Sequence, residues 1–216
     1  MSTNQIRVDI VSDVVCPWCA IGYYQLAAAA RETGTELDVH WHPFELNPQM
    51  ADKGENLREH LAAKYGTTLK GSIEARAKLT QLGAELGFTF NYADDMRVWN
   101  TFRAHQLIEW ADEHGRGHAM KLALLSAFFT DRKNISDIEV LVDLAAQAGL
   151  DRNDARQMLA DGNHAQTVRE KQQFWLERGI QGVPAMVFLG RHLVTGAQGV
   201  ENYARILRQL TMSPAA

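Results

Sequence analysis

Cysteine is almost absent from this chain, with two in 216 residues. A fold stapled by disulfides is therefore excluded. Long hydrophobic runs are missing too. No apolar stretch approaches the ~18 residues needed to span a bilayer. Positive charge is not in excess: 22 Lys and Arg face 26 Asp and Glu, a formal net charge of -4. That balance argues against nucleic acid as the main partner. Fixed-period repeats and a flexible linker are also lacking. Residues 1–7 carry neither a basic n-region nor a long apolar h-region, so the chain is expected to be cytoplasmic. In a reducing compartment a lone, close cysteine pair is catalytic or metal-binding rather than a staple.

That pair is Cys16-Pro17-Trp18-Cys19. Residues 6–11 before it are rich in β-branched side chains and read as a buried strand. Residues 20–30 after it are rich in alanine, with a leucine, and favour a helix. Pro17 suits the first helical position, where its missing N–H has no intrahelical partner to lose. Cys16 then sits at a helix N-terminus, whose free N–H groups and partial positive charge stabilise a thiolate. Cys19, three residues on, faces the same side. The arrangement predicts Cys16 as nucleophile and Cys19 as resolving thiol. Only a thiol pKa as low as ~4 makes such a pair a strong oxidant, worth ~4 kcal/mol or ~90 mV. Trp18 supplies no cation, so an intermediate potential is expected. Asp13 precedes the motif by three residues and reads as a turn or capping residue, or as a carboxylate shaping the thiols' proton environment.

Helix 17–33 stops at Gly34, and residues 37–44 form a second strand. His40 and His42 share one face of it. With the cysteines they suggest a zinc site, but the spacing is not that of a zinc finger, and no metal is expected. Residues 47 to about 181 read as helical. Segments 57–65, 72–86, 97–114, 118–130, 138–149, 151–160 and 164–178 are amphipathic or capped. Ser136-Asp137-Ile138-Glu139 reads as a capping box, and Phe174 and Trp175 as inward-facing. Tyr23 and Tyr24 read as helix-packing residues. This block is expected to have its own small core. Residues 182–189 then form a strand, Gly190-Arg191 a turn, 192–195 the returning strand and 200–210 a closing helix, with a disordered tail at 213–216.

Element order and motifs together resemble the DsbA-like thioredoxin-fold family. The residues that carry the likeness are Ser12-Asp13-Val14-Val15-Cys16-Pro17-Trp18-Cys19, Pro43-Phe44-Glu45-Leu46-Asn47-Pro48 and Gly182-Val183-Pro184. They most resemble the FrnE-like subgroup of cytosolic members. The resemblance implies an α/β, thioredoxin-like fold with a large α-helical insertion between the second strand and the C-terminal β-hairpin. Residues 1–46 and 180–216 would form the discontinuous thioredoxin-like unit, and 47–179 the inserted helical domain. It implies thiol–disulfide oxidoreductase activity on disulfide-containing proteins or small-molecule thiols, without metal or organic cofactor, and with glutathione as a candidate reductant. It does not distinguish monomer from homodimer.

Residue by residue, the family pattern makes Cys16 the accessible nucleophile, Cys19 its buried partner, and Pro184 the proline that follows a cis bond and faces the disulfide. Pro17, Trp18 and Val183 would contact substrate, Val183 through its backbone. Segment 97–114 could overhang the groove, bringing Trp99, Asn100, Thr101 and His105 near a substrate; a packed polar face is the competing reading. One departure stands out. The family's acidic residue, six positions before the first cysteine, is here Ile10. A proton acceptor for Cys19 must come from elsewhere, with Asp13, Glu45, a water or a histidine as candidates. Two further function classes compete. Kappa-class transferases and hydroxychromene-carboxylate isomerases share the architecture but generally carry serine at the first cysteine. A peptide-binding chaperone could use the groove and Trp18.

Overall fold

A computed structural model describes residues 5–212. The expectations for the first four residues and the 213–216 tail lie outside the described residues. The chain opens with β1 (Gln5–Ser12), α1 (Pro17–Thr33) and β2 (Glu36–Pro43). The helical segment follows, with a two-residue strand β3 (Glu55–Asn56), α2 (Leu57–Tyr65), α3 (Leu69–Leu86), a second short strand β4 (Arg97–Val98), α4 (Phe102–Glu113), α5 (Gly117–Phe129), α6 (Ile138–Gln147), α7 (Arg152–Asp161) and α8 (Ala165–Glu177). β5 (Ala185–Phe188), β6 (His192–Thr195) and α9 (Val200–Met212) complete it. This is a mixed α/β fold in which a helical insertion separates β2 from the β5–β6 hairpin.

The main sheet has the order β2-β1-β5-β6. β1 pairs parallel with β2 across the α1 crossover, and antiparallel with β5. A central strand covered on both faces loses its polar alternation. In β1 that leaves Val8, Ile10 and Val11 fully buried. The strand period still sorts them. Ile6, Val8 and Ile10 join the main core with Leu26, Tyr203 and Leu207, while Val11 joins Trp175, Ile180, Ala185 and Val187 on the opposite face. α1 packs on α9, and α5 and α8 pack on β2.

Several expectations change. The helical segment does not close on a core of its own. Leu107, Leu124, Leu125, Phe128 and Leu141 belong to the same buried cluster as Ile10, Ile21 and Leu26. Residues 97 and 98 are not helical. They pair with Glu55 and Asn56, and α4 begins only at Phe102. The side chain of Thr68 accepts the amide of Gly71, which starts α3 three residues before Ser72. The capping box at 136–139 does not form, because Asp137 is the N-cap and accepts the amides of Glu139 and Val140 itself. Phe174 is exposed and only Trp175 turns inward. The β5–β6 turn centres on Leu189 and Gly190, both at positive φ, one residue earlier than expected. β5 itself begins at Ala185, after a cis Val183–Pro184 bond.

Candidate active site

Cys16 is the N-cap of α1, with extended backbone, and Pro17 takes the first helical position. The carbonyl of Cys16 accepts the amide of Cys19 at 3.1 Å, so the first turn brings the two residues together. Both are free thiols. Cys16 is 4% exposed and Cys19 0%. Cys16 Sγ faces the carbonyl of Val183 at 3.7 Å, on the cis peptide. Gly22, one turn past the motif, makes that approach possible. A Cβ there would stand 3.2 Å from Pro184 Cγ and 3.3 Å from Met186 Cε. The need for glycine inside an alanine-rich helix is visible only once β5 is in place.

A cavity of about 380 Å³ opens against the motif. Cys16, Pro17, Trp18 and Val183 line it, and α2 and α3 supply most of the other residues of its wall. Cys19 does not line it. Pro184 is buried and does not line it. Trp18 and Tyr65 are the large side chains of its lining left exposed.

The floor under the thiols is charged. Asp13 is fully buried. Its Oδ1 accepts the amide of Val14 at 2.7 Å and its Oδ2 the amide of Leu46 at 2.7 Å. His105 Nε2 lies 3.2 Å from Asp13 Oδ1 and 3.0 Å from the carbonyl of Phe44. A carbonyl only accepts, so Nε2 carries a proton and donates to both. Burial opposes a charged Asp13, but the bond to His105, its charge, the Leu46 amide and the charge of Lys121 outweigh it and hold the carboxyl below its ordinary value.

Lys121, from α5, is 1% exposed. Its Nζ donates to the carbonyl of Ser12 at 3.4 Å and lies 5.2 Å from the centre of the Trp41 ring. Burial lowers its pKa to about 8, against the opposing pull of Cys19, Asp13 and Cys16. Lys121 thus remains largely a cation at neutral pH, and its charge acts on the dithiol.

This charge changes the expected electrostatics of the pair. The bond to Cys19 and burial push Cys16 well above the ordinary thiol range. Burial works against a charged Cys19 as well, but the hydrogen bond from Cys16 and the charge of Lys121 bring it below its ordinary value. Within the pair, these surroundings favour a thiolate at Cys19 over one at Cys16. The helix N-terminus, considered alone, predicts the opposite.

The remaining candidates lie elsewhere. His105 is a buried positioning group beneath the motif, not a residue over the groove. Asn100 donates to the carbonyl of Met50 and Trp99 packs against Gly54, both off the cavity wall. Glu45 is held by Arg169 at 2.6 Å and Gln172 at 3.1 Å. His42 bonds Asp9 at 2.8 Å and rests on Trp175, while His40 pairs with Asp38. Among the described residues, no group of three or more His, Cys, Asp or Glu is arranged to hold a metal ion. Tyr23 packs on Trp41 and bonds His118 at 3.0 Å. Sequence reasoning missed Lys121 and Gly22. A lysine between Met120 and Leu122, in a helix of mostly apolar residues, was the available signal for the first.

Known proteins place this architecture. A probable DsbA oxidoreductase from Streptomyces coelicolor has 32% sequence identity and a TM-score of 0.89, over 98% of this chain and 92% of that one. The cytosolic disulfide reductase DsbM from Pseudomonas aeruginosa shares the fold at 20% identity and a TM-score of 0.65, over 96% of this chain and all of its own. An uncharacterized protein of Bacillus subtilis, YwbO, is 26% identical over 203 residues, 94% of this chain and 96% of its own. No helix among the described residues is long and apolar enough to cross a membrane. The family model of the DSBA-like thioredoxin domain matches residues 7–208, and the chain belongs to that family.

Proposed function

We propose that this protein is a thiol–disulfide oxidoreductase that uses Cys16 and Cys19 as a redox dithiol. The observation that carries the reading is the division of access. Cys16 borders the cavity beside Val183, and Cys19 is sealed behind it.

The chemistry follows from that division. Cys16 gives up its proton to solvent in the cavity and its sulfur attacks one sulfur of a bound disulfide. The substrate S–S bond breaks, a mixed disulfide forms, and the leaving half departs as thiolate. Cys19 then attacks Cys16 Sγ, which closes the Cys16–Cys19 disulfide and releases the second thiolate. Two electrons pass to the substrate, and an external thiol such as glutathione returns them. The second step needs Cys19 as thiolate, and Lys121 is the cation that favours it. Lys121 thereby serves where the family acid is replaced by Ile10. Val183 offers a carbonyl to the bound segment, and Pro17 and Trp18 border it.

Substrates are disulfide-bearing proteins or small molecules. The likeness to a cytosolic reductase supports work in the cytoplasm. The test is a pair of variants. Cys16→Ser is expected to abolish disulfide reduction, and Cys19→Ser to accumulate a mixed disulfide detectable by mass spectrometry. Full turnover in Cys16→Ser would overturn the assignment. So would turnover of a chromene acid without change in thiol state, which marks the isomerase reading.

A further inference from the structure

One wall of the cavity carries polar groups that the disulfide chemistry does not use. Ser72, Ala75, Arg76 and Leu79 fall at helical spacing, so one face of α3 meets the cavity. The Arg76 side chain is 11% exposed. Its Nη1 donates to the carbonyl of Ala93 at 3.1 Å and lies 3.7 Å from Asp94 Oδ1. Its Nε and Nη2 are buried and have no hydrogen-bond partner in the structure, and neither has Ser72 Oγ. Asp94 is largely exposed and also pairs with Arg58, so it screens Arg76 weakly.

A guanidinium is charged at any working pH, and buried donors are normally matched by acceptors. The two idle nitrogens are the side-on pair of the fork, the edge that grips a carboxylate with two parallel bonds. Most of the remaining wall is apolar or aromatic, and the volume is that of a small-molecule site.

Resting on the oxidoreductase reading, we propose that the cavity takes a carboxylate-bearing small-molecule disulfide, with Arg76 and Ser72 gripping the carboxylate while the S–S bond meets Cys16. The electron balance is that of the proposed reaction. The small disulfide is cleaved to two thiolates, the Cys16–Cys19 dithiol is oxidised, and a low-molecular-weight thiol re-reduces it.

The test compares two aryl disulfides, 5,5′-dithiobis(2-nitrobenzoate), which carries carboxylates, and 2,2′-dithiodipyridine, which is neutral. The reading is the ratio of their second-order rate constants, which removes general effects on Cys16. Arg76→Met is expected to lower the ratio ~10- to 100-fold, the usual worth of a charge-assisted pair. Arg76→Lys, which keeps the charge but not the fork, is expected to fall between the two, and it serves alone should the methionine variant fail to fold. A ratio within about twofold of wild type in the folded variants would overturn the proposal, since a charge-assisted bond is worth more than that. A second arm is independent of redox. Biphenyl-4-carboxylate is titrated into the Cys16→Ser, Cys19→Ser protein by calorimetry, with the neutral carboxamide as control. Binding of the acid alone, lost on adding Arg76→Met, supports the anion site even if Cys16 proves inert. Equal binding of acid and amide would reject it.

Discussion

Lys121→Met should make the protein more stable at neutral pH, although the lysine sits at the heart of the site. The lysine's pKa falls from an ordinary 10.5 to about 8 in the folded chain. At pH 7 the folded state must therefore hold a proton that burial disfavours, at a cost of ~3 kcal/mol. Methionine keeps most of the stem and removes the charge. It also removes the hydrogen bond to the Ser12 carbonyl, worth ~1 kcal/mol. The net expectation is a gain of ~2 kcal/mol at pH 7, or ~4–8 °C in melting temperature for a chain of this size.

The sign reverses with pH. Because the folded pKa is below the unfolded one, the unfolded chain binds more protons between pH 8 and 10.5, and wild-type stability attributable to Lys121 rises across that window. Above it the penalty has gone, and the variant should be ~1 kcal/mol the less stable protein. The redox consequence is linked. Cys19 carries charge only in the dithiol, so Lys121 favours the reduced form over the disulfide. Its loss should make the pair more reducing, by ~30 mV for each ~1.4 kcal/mol of lost attraction. Denaturant unfolding at pH 7 and above pH 10.5, together with the redox equilibrium against glutathione read by Trp18 fluorescence, checks both. A variant that is less stable at pH 7, with an unchanged potential, would show that Lys121 is only a packed stem and would refute the reasoning.

Two further outcomes are expected. Asp13→Asn leaves one of the buried amides of Val14 and Leu46 without its carboxylate acceptor and should cost ~1–3 kcal/mol in chemical denaturation. The folded pKa of Asp13 is depressed, so its contribution is present above pH 3.8 and lost as pH falls through the folded value. The variant's acid limb should accordingly be flatter below pH 3.8, and an unchanged limb would contradict the ionised assignment. Gly22→Val should drive methyl groups into the Pro184 ring, costing ~1–3 kcal/mol, and slow the reaction of Cys16 with dithiodipyridine more than Gly22→Ala does. Equal rates in both would show that Pro184 does not need the close approach of α1.

The primary fold was legible because its signals are local. The β-branched run of β1, the proline at the first position of α1, Gly34 at its end and the apolar run of β5 each specify their element within a few residues. The dithiol was legible for the same reason. Caps and short ladders were less so. Asp137 displaces Ser136 as a cap by one residue, and β4 exists only because Glu55 and Asn56, some forty positions earlier, come alongside Arg97 and Val98. His105 could be placed on a helix but not oriented, since its direction depends on Asp13 and Phe44.

The sequence by itself determined that two sulfurs meet at the start of a helix, because a CxxC spacing on a first turn leaves little alternative. The charged surroundings that bias one thiol against the other were set by tertiary structure. Lys121 lies more than a hundred residues from Cys19 along the chain, and only the packing of α5 on β2 brings its charge beneath the pair. The same is true of Arg76, whose unpaired nitrogens acquire meaning once α3 and Cys16 line one cavity. Charge acts through space, so a lysine distant in sequence joins the Cys16 hydrogen bond in favouring a thiolate at Cys19, which the helix start alone does not foretell.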